Sequence, residues 1–323
     1  MIEADILPYT SFVGPGGITF CSEGVVHGGV VKASAVYFPD YDGSRLRFED
    51  NTYHSKKIFD GTRGEESSFT DLAKEIISFF YHIGESTGQR FIHVPKQEIA
   101  RVYDHRESLF EILQGKHNAP ELLRDKLKAT LKFLATQDIN PRDVGLYGGL
   151  QSFLVSRANS NFKDIDLVFH GIENVTNMKR LASLTQLGKT FSSQSRVRST
   201  PEDMRRRRHE LTRIYLPDDA YGTYLDIKIL RNPSDPVSYP YDATVAKRMN
   251  IRGKIVDDSE AFSTPTNYRI LTDEGQYIDV SSVKYDFIAG AGNGDTVEVS
   301  GMRCKEHNNL LLIDPDDDYI RVQ

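Results

Sequence analysis

Cysteine is nearly absent from this chain: Cys21 and Cys304 are the only two in 323 residues. They stand far apart and form no C-x-x-C pair, so the sequence indicates neither a thiolate zinc site nor a disulfide framework. That economy fits a reducing, cytoplasmic setting. Long apolar runs are missing too. No stretch approaches the roughly 20 residues that a bilayer span requires, so no membrane partner is expected. The first residues, MIEADILPYTSF, lack the basic start and apolar core of a secretory signal. An excess of basic charge is also missing. Forty Lys and Arg stand against 46 Asp and Glu, a net charge of −6. No global field therefore draws the protein to nucleic acid, although a local basic patch remains open. There is no internal repeat and no low-complexity tract.

What is present reads as a folded globular chain, 39% hydrophobic and 27% charged. Its length suits two or three domains. Residues 1–105 are β-rich, with short apolar runs punctuated by glycines and one expected helix at about 69–83, stopped by Gly84. Residues 106–250 change character. Ser108 and Glu111 form an S-x-x-E capping signature, and Pro120 starts a helix carrying Leu123, Leu127, Leu131 and Leu134. Residues 251–323 break into short strands at regular spacing, the pattern of a small barrel or sandwich. The expected fold is α+β, with a central mixed-sheet core between β-rich N-terminal and C-terminal regions.

One short stretch raises a chemical question. Residues 163–170 read KDIDLVFH. Asp164 and Asp166 open an apolar strand and share a face, since side chains at i and i+2 point the same way. Two like charges so placed repel and resist burial. Two carboxylates at this spacing are suited to Mg²⁺ through oxygen ligands, and a metal held so stabilises phosphoryl or nucleotidyl displacement. Two further parts are then expected, and both are visible. Upstream, Gly148 and Gly149 follow Leu146 and Tyr147 and precede a helical pattern at Leu150, Phe153 and Leu154. Glycines at such a turn let a triphosphate approach the backbone. Downstream, TYLDIKIL places Asp226 alone among apolar neighbours, with Lys228 on the same face and able to meet a phosphate.

These stretches, LYGGLQSFLVSRANSNFKDIDLVF and then YLDIKI, resemble the signature of the DNA polymerase β-like nucleotidyltransferase superfamily. Gly148 and Gly149 match its glycine motif, Asp164 and Asp166 its metal pair, and Asp226 its third acid. The superfamily resemblance covers roughly residues 120–232. Beyond it, HVPKQEIARVYDHRESLFEIL and KRMNIRGKIVDDSEAF are similar to little-studied predicted nucleotidyltransferases of prokaryotes. Two departures are plain: Gly149 stands where many members carry serine, and fourteen residues separate Gly149 from Asp164. The resemblance implies a nucleotidyltransferase core at 106–250. In it, Mg²⁺ or Mn²⁺ sits on Asp164, Asp166 and Asp226. A nucleoside triphosphate such as ATP donates its monophosphate to a hydroxyl of RNA, protein or a small molecule, and pyrophosphate is released.

Plainer readings stand beside these. A D-x-D alone is a solvated strand edge or a cap, and a Gly-Gly pair alone is a turn. Arg205 to Arg208 fan around a helix, so either the helix is a solvated basic one or Arg205 and Arg208 meet a phosphate. DPDDDY at 314–319 lacks the glycine and distant glutamate of a calcium loop and reads as a solvated tail. The C-terminal region, with Tyr268, Tyr277, Tyr285 and Phe287, is either an oligonucleotide-binding barrel or a scaffold, and its acidity favours the scaffold. The rival functions are a nucleotide- or RNA-binding module and a regulatory protein with a vestigial pocket. The sequence leaves the oligomeric state open.

Overall fold

The computed structural model describes residues 6–22, 29–39, 45–47, 52–55, 81–83, 90–156, 164–171, 173–174, 176–177, 181, 213–216, 223–231, 245–282, 287–305, 309–312 and 317–323. Strand accounts for 49% of the structure and helix for 25%, and three helices occur among the described residues. This corrects the expected fold class. Among the described residues strand predominates, and they form no helix-rich α+β core. Part of the reason lies in the segments read as helical. The expected helix at about 69–83 ends in a strand, Tyr81–Ile83, and the remainder of that expectation lies outside the described residues. After the two glycines the helix lasts one turn before the chain becomes extended again.

The chain forms two compact units. The first comprises Met1–Gly84, Arg90–Val168 and Leu216–Tyr224. Its strands are β1 (Ser11–Val13), β2 (Thr19–Ser22), β3 (Val30–Pro39), β4 (Arg45–Arg47), β5 (Thr52–Ser55), β6 (Tyr81–Ile83), β7 (Arg90–Pro95), β8 (Arg101–Tyr103), β9 (Val144–Leu146) and β10 (Leu154–Ser156). Nine of these make one sheet in the order β10-β4-β5-β3-β2-β1-β8, with β7 paired to both β3 and β6. Along β3 every second side chain is buried, as one covered face demands. Its core packs Val31, Ala33, Ile92 and Val94 around Phe12 and Phe20, whose rings stack 5.4 Å apart.

Helices α1 (His105–Leu113) and α2 (Glu121–Thr136) lie between β8 and β9 in the chain. The cap of α1 is Asp104, not Ser108. Its carboxylate accepts from the backbone N–H of Arg106 at 2.8 Å and of Glu107 at 2.9 Å, so the helix starts earlier than the S-x-x-E signature suggests. On α2, Leu123, Leu127 and Leu134 are buried, as their spacing requires.

The second unit comprises Glu85–Gln89, Phe169–Tyr215 and Leu225–Gln323. Strand β11 (Asp164–His170) runs out of the first unit into the second. With β12 (Arg213–Tyr215) and β13 (Tyr224–Leu230) it belongs to a sheet of order β12-β13-β11-β9, and β15 (Ser263–Thr264) pairs in parallel with β13.

The rest of the second unit is a barrel. Its strands are β14 (Val245–Glu260), β16 (Thr266–Thr272), β17 (Tyr277–Ser282), β18 (Thr296–Cys304) and β19 (Asn309–Leu311), with β20 (Tyr319–Val322) added on β18. The order β14-β16-β17-β19-β18 closes because β14 also pairs with β18. Closure removes the exposed sheet edges. One long strand serves both neighbours: residues 245–254 of β14 face β18, and residues 253–260 face β16. Gly253 lies where the two pairings overlap, and a Cβ there would meet the Leu271 carbonyl oxygen at 2.3 Å.

The expected small barrel or sandwich is therefore a barrel. Two of its four aromatics belong to the core rather than to a stacking surface. Tyr268 and Phe287 are fully buried, and the Tyr268 hydroxyl donates to the Phe287 carbonyl at 2.8 Å. Burial pushes that phenol up to about 12. Tyr277 is exposed, and Tyr285 lies outside the described residues. The acidic tail is corrected in part: Asp318 is buried and paired with Arg248, which also meets Asp317 at 3.6 Å.

Candidate functional site

The first unit builds the glycine turn from β9 outward. Val144, Gly145 and Leu146 are all buried. Gly145 has no room for a side chain, because a Cβ would meet the His105 Cβ at 2.6 Å. After the strand, the Tyr147 N–H donates to the Asp166 carbonyl at 3.1 Å, which aligns the start of the turn with β11. Gly148 then takes a left-handed conformation, φ 69°, and a Cβ would come 2.5 Å from Asp166 Oδ2. Glycine is required here twice over, by the backbone angle and by the approach of the carboxylate. The glycine turn and the aspartate pair, read separately from the sequence, are thus in contact through Gly148 and Asp166.

Helix α3 (Gly148–Gln151) is a single turn, and Gly149, Leu150 and Gln151 are buried in it. The expected helical run through Phe153 and Leu154 does not form. Phe153 adopts φ 59°, and Leu154 begins β10, which pairs with β4. On β11 the burial alternates at its start: Asp164 is exposed, Ile165 buried, Asp166 half-buried and Leu167 buried. From Leu167 to His170 every residue is buried, so the carboxylates sit at the one end of the strand that reaches solvent.

In the second unit, Asp226 is half-buried on β13, flanked by buried Leu225 and Ile227. The Lys228 ammonium lies 3.0 Å from Asp226 Oδ1, with side-chain exposures of 5% and 16%. Lys228, expected to meet a phosphate, is here a buried partner of the third acid. Arg205 and Arg208 lie outside the described residues. Among the described residues, no group of three or more His, Cys, Asp or Glu side chains is arranged to hold a metal ion. No described helix is long and apolar enough to cross a membrane.

Sequence reasoning passed over Gln151. It is fully buried, and its carboxamide bonds the backbone of Ser11 and of Tyr103. The one visible signal was a polar residue inside the run LQSFL. It also missed His117. This residue bonds Glu111 at 2.9 Å and stacks on Phe153 with ring centroids 4.0 Å apart. That bond and Lys116 hold the Glu111 carboxyl below its usual range, outweighing the opposing effect of burial.

No family model, curated protein or solved structure matches this chain.

Proposed function

We propose that this protein is a metal-dependent nucleotidyltransferase that moves a nucleoside monophosphate from a triphosphate to a hydroxyl acceptor. The observation that carries the reading is the contact between two motifs. Gly148, in a conformation that suits glycine, leaves just enough room for the Asp166 carboxylate. A turn without a Cβ lets phosphate approach the backbone, and two carboxylates beside it supply the oxygen ligands a hard cation prefers. The residues fit Mg²⁺ or Mn²⁺, since Mg²⁺ is commonly held by one or two carboxylates together with substrate phosphates. Asp164 and Asp166 would hold the ion. When bound, it supplies positive charge to the phosphate oxygens.

Gly148 and Gly149 seat the triphosphate. The acceptor hydroxyl oxygen bonds to the α-phosphorus as its proton passes to water. The bond from that phosphorus to its bridging oxygen breaks, and pyrophosphate leaves with the electron pair. The acceptor belongs to RNA, to a protein or to a small molecule. A cytoplasmic setting goes with this reading, and neither Cys21 nor Cys304 is in a disulfide. The test is incubation with each α-labelled ribonucleoside triphosphate, Mg²⁺ and total RNA or protein. Label transfer and pyrophosphate release are expected from the wild type and from neither Asp164→Asn nor Asp166→Asn. Full activity in both variants overturns the proposal.

A further inference from the structure

The glycine turn has little means of holding its own shape. A single helical turn fixes several dihedral angles for very few hydrogen bonds, so α3 must be held from outside. Gln151 is the last residue of α3 and is 0% exposed. Its Oε1 accepts from the Ser11 N–H at 3.0 Å, and its Nε2 donates to the Tyr103 carbonyl at 2.7 Å. Ser11 and Tyr103 are direct register partners on β1 and β8. One carboxamide therefore bonds both strands at the same rung of the sheet. Both of its ends are satisfied, which a buried amide needs to avoid a desolvation penalty.

Packing alone does not call for an amide there, because an apolar side chain of the same length would fill the space. Two directed bonds fix both the position and the rotation of α3 against the sheet. Beyond Gln151 the chain enters β10, whose Leu154 pairs with Arg47 of β4 in that sheet. On the other side the turn is bound by the Tyr147 N–H to Asp166. We infer that Gln151 is a positioning residue: it sets where Gly148 and Gly149 stand beside Asp166 and so governs the triphosphate seat. The N-terminal sheet is then a structural part of the nucleotide site. This inference rests on the nucleotidyl-transfer reading.

Three variants separate positioning from bulk stability. Gln151→Met keeps length and volume and loses both bonds. Gln151→Glu keeps the acceptor and loses the donor. Leu123→Ala, at a fully buried position on α2, lowers stability without touching the turn. Each folded protein is titrated calorimetrically with the four ribonucleoside triphosphates in Mg²⁺, and amide exchange over residues 147–153 is followed without nucleotide. Triphosphate binding is expected to weaken by about tenfold or more in Gln151→Met and by less in Gln151→Glu. It should stay unchanged in Leu123→Ala, with faster exchange at 148–153 only in the Gln151 variants. Where Gln151→Met does not fold, Gln151→Glu carries the comparison. Wild-type affinity in the folded Gln151 variants overturns the positioning role. A wild-type protein that binds no triphosphate overturns the transfer reading, and the positioning role falls with it. Exchange unchanged in the Gln151 variants overturns the clamp itself, whatever binds.

Discussion

Strands β11 and β13 are built alike and charged differently. Each carries an acid at its solvent-reaching end and then runs through four consecutive buried residues. Two residues beyond Asp226 stands Lys228, and the two form an ion pair at 3.0 Å. Two residues beyond Asp164 stands Asp166. The first arrangement is neutral within its own strand. The second sets two negative charges side by side and adds a glycine turn that brings backbone up against one of them. On the proposed reading, that second acid serves a divalent cation beside a triphosphate. The proposed function assigns the ligand to the doubly acidic strand and leaves the ion-paired one a structural part.

Breaking the acidic strand should show in activity, and breaking the neutral one in stability. The largest effect expected is on transfer. Asp166→Asn should lower turnover by about a thousandfold, measured by pyrophosphate release, with the melting temperature little changed. Next, Lys228→Met leaves a half-buried Asp226 without its ammonium and should cost about 3 kcal/mol in chemical denaturation. Equal losses of stability from Lys228→Met and Asp164→Asn would erase the contrast between the strands.

Acid sharpens it in a third way. His105 packs against Gly145 of β9, and burial pushes its imidazole from 6.5 to about 4. The unfolded chain therefore takes up this proton between pH 6.5 and 4 while the folded one does not. Stability should be flat above 6.5 and fall by up to about 3 kcal/mol as the pH drops to 4. His105→Gln should flatten that limb in denaturation curves at stepped pH; an unchanged slope would remove His105 as its source. Smaller again, Gly148→Ala should cost roughly 1–3 kcal/mol from the left-handed backbone and the crowding of Asp166, with triphosphate affinity falling alongside. The smallest change is in Asp164→Asn, whose stability should stay within about 0.5 kcal/mol of wild type.

The acid-bearing strands were legible because their signal is local. Burial alternates as expected from Asp164 to Leu167 and from Tyr224 to Ile227, although Lys228 is buried in its ion pair with Asp226. The C-terminal barrel was legible as short strands, although only pairing along 245–260 reveals that β14 closes it. The fold class was misread for a reason that is not local. Leu150, Phe153 and Leu154 have helical spacing, yet Phe153 turns left-handed and Leu154 is drawn into a sheet by pairing with Arg47, more than a hundred residues earlier. Gln151 was missed for the same reason, since its partners are 48 and 140 residues away. Asp104 displaced Ser108 as the cap because an extended residue just before the helix leaves its carboxylate facing free N–H groups.

The central claim is that Asp164 and Asp166 exist to hold a metal and a triphosphate. It is tested most directly by a thermal-shift panel of the four ribonucleoside triphosphates, with and without Mg²⁺ or Mn²⁺, on wild type and Asp164→Asn. The account predicts a stabilising shift for at least one triphosphate that needs the metal and vanishes in the variant. Wild-type protein whose melting temperature is unmoved by every triphosphate, with either metal, would contradict it.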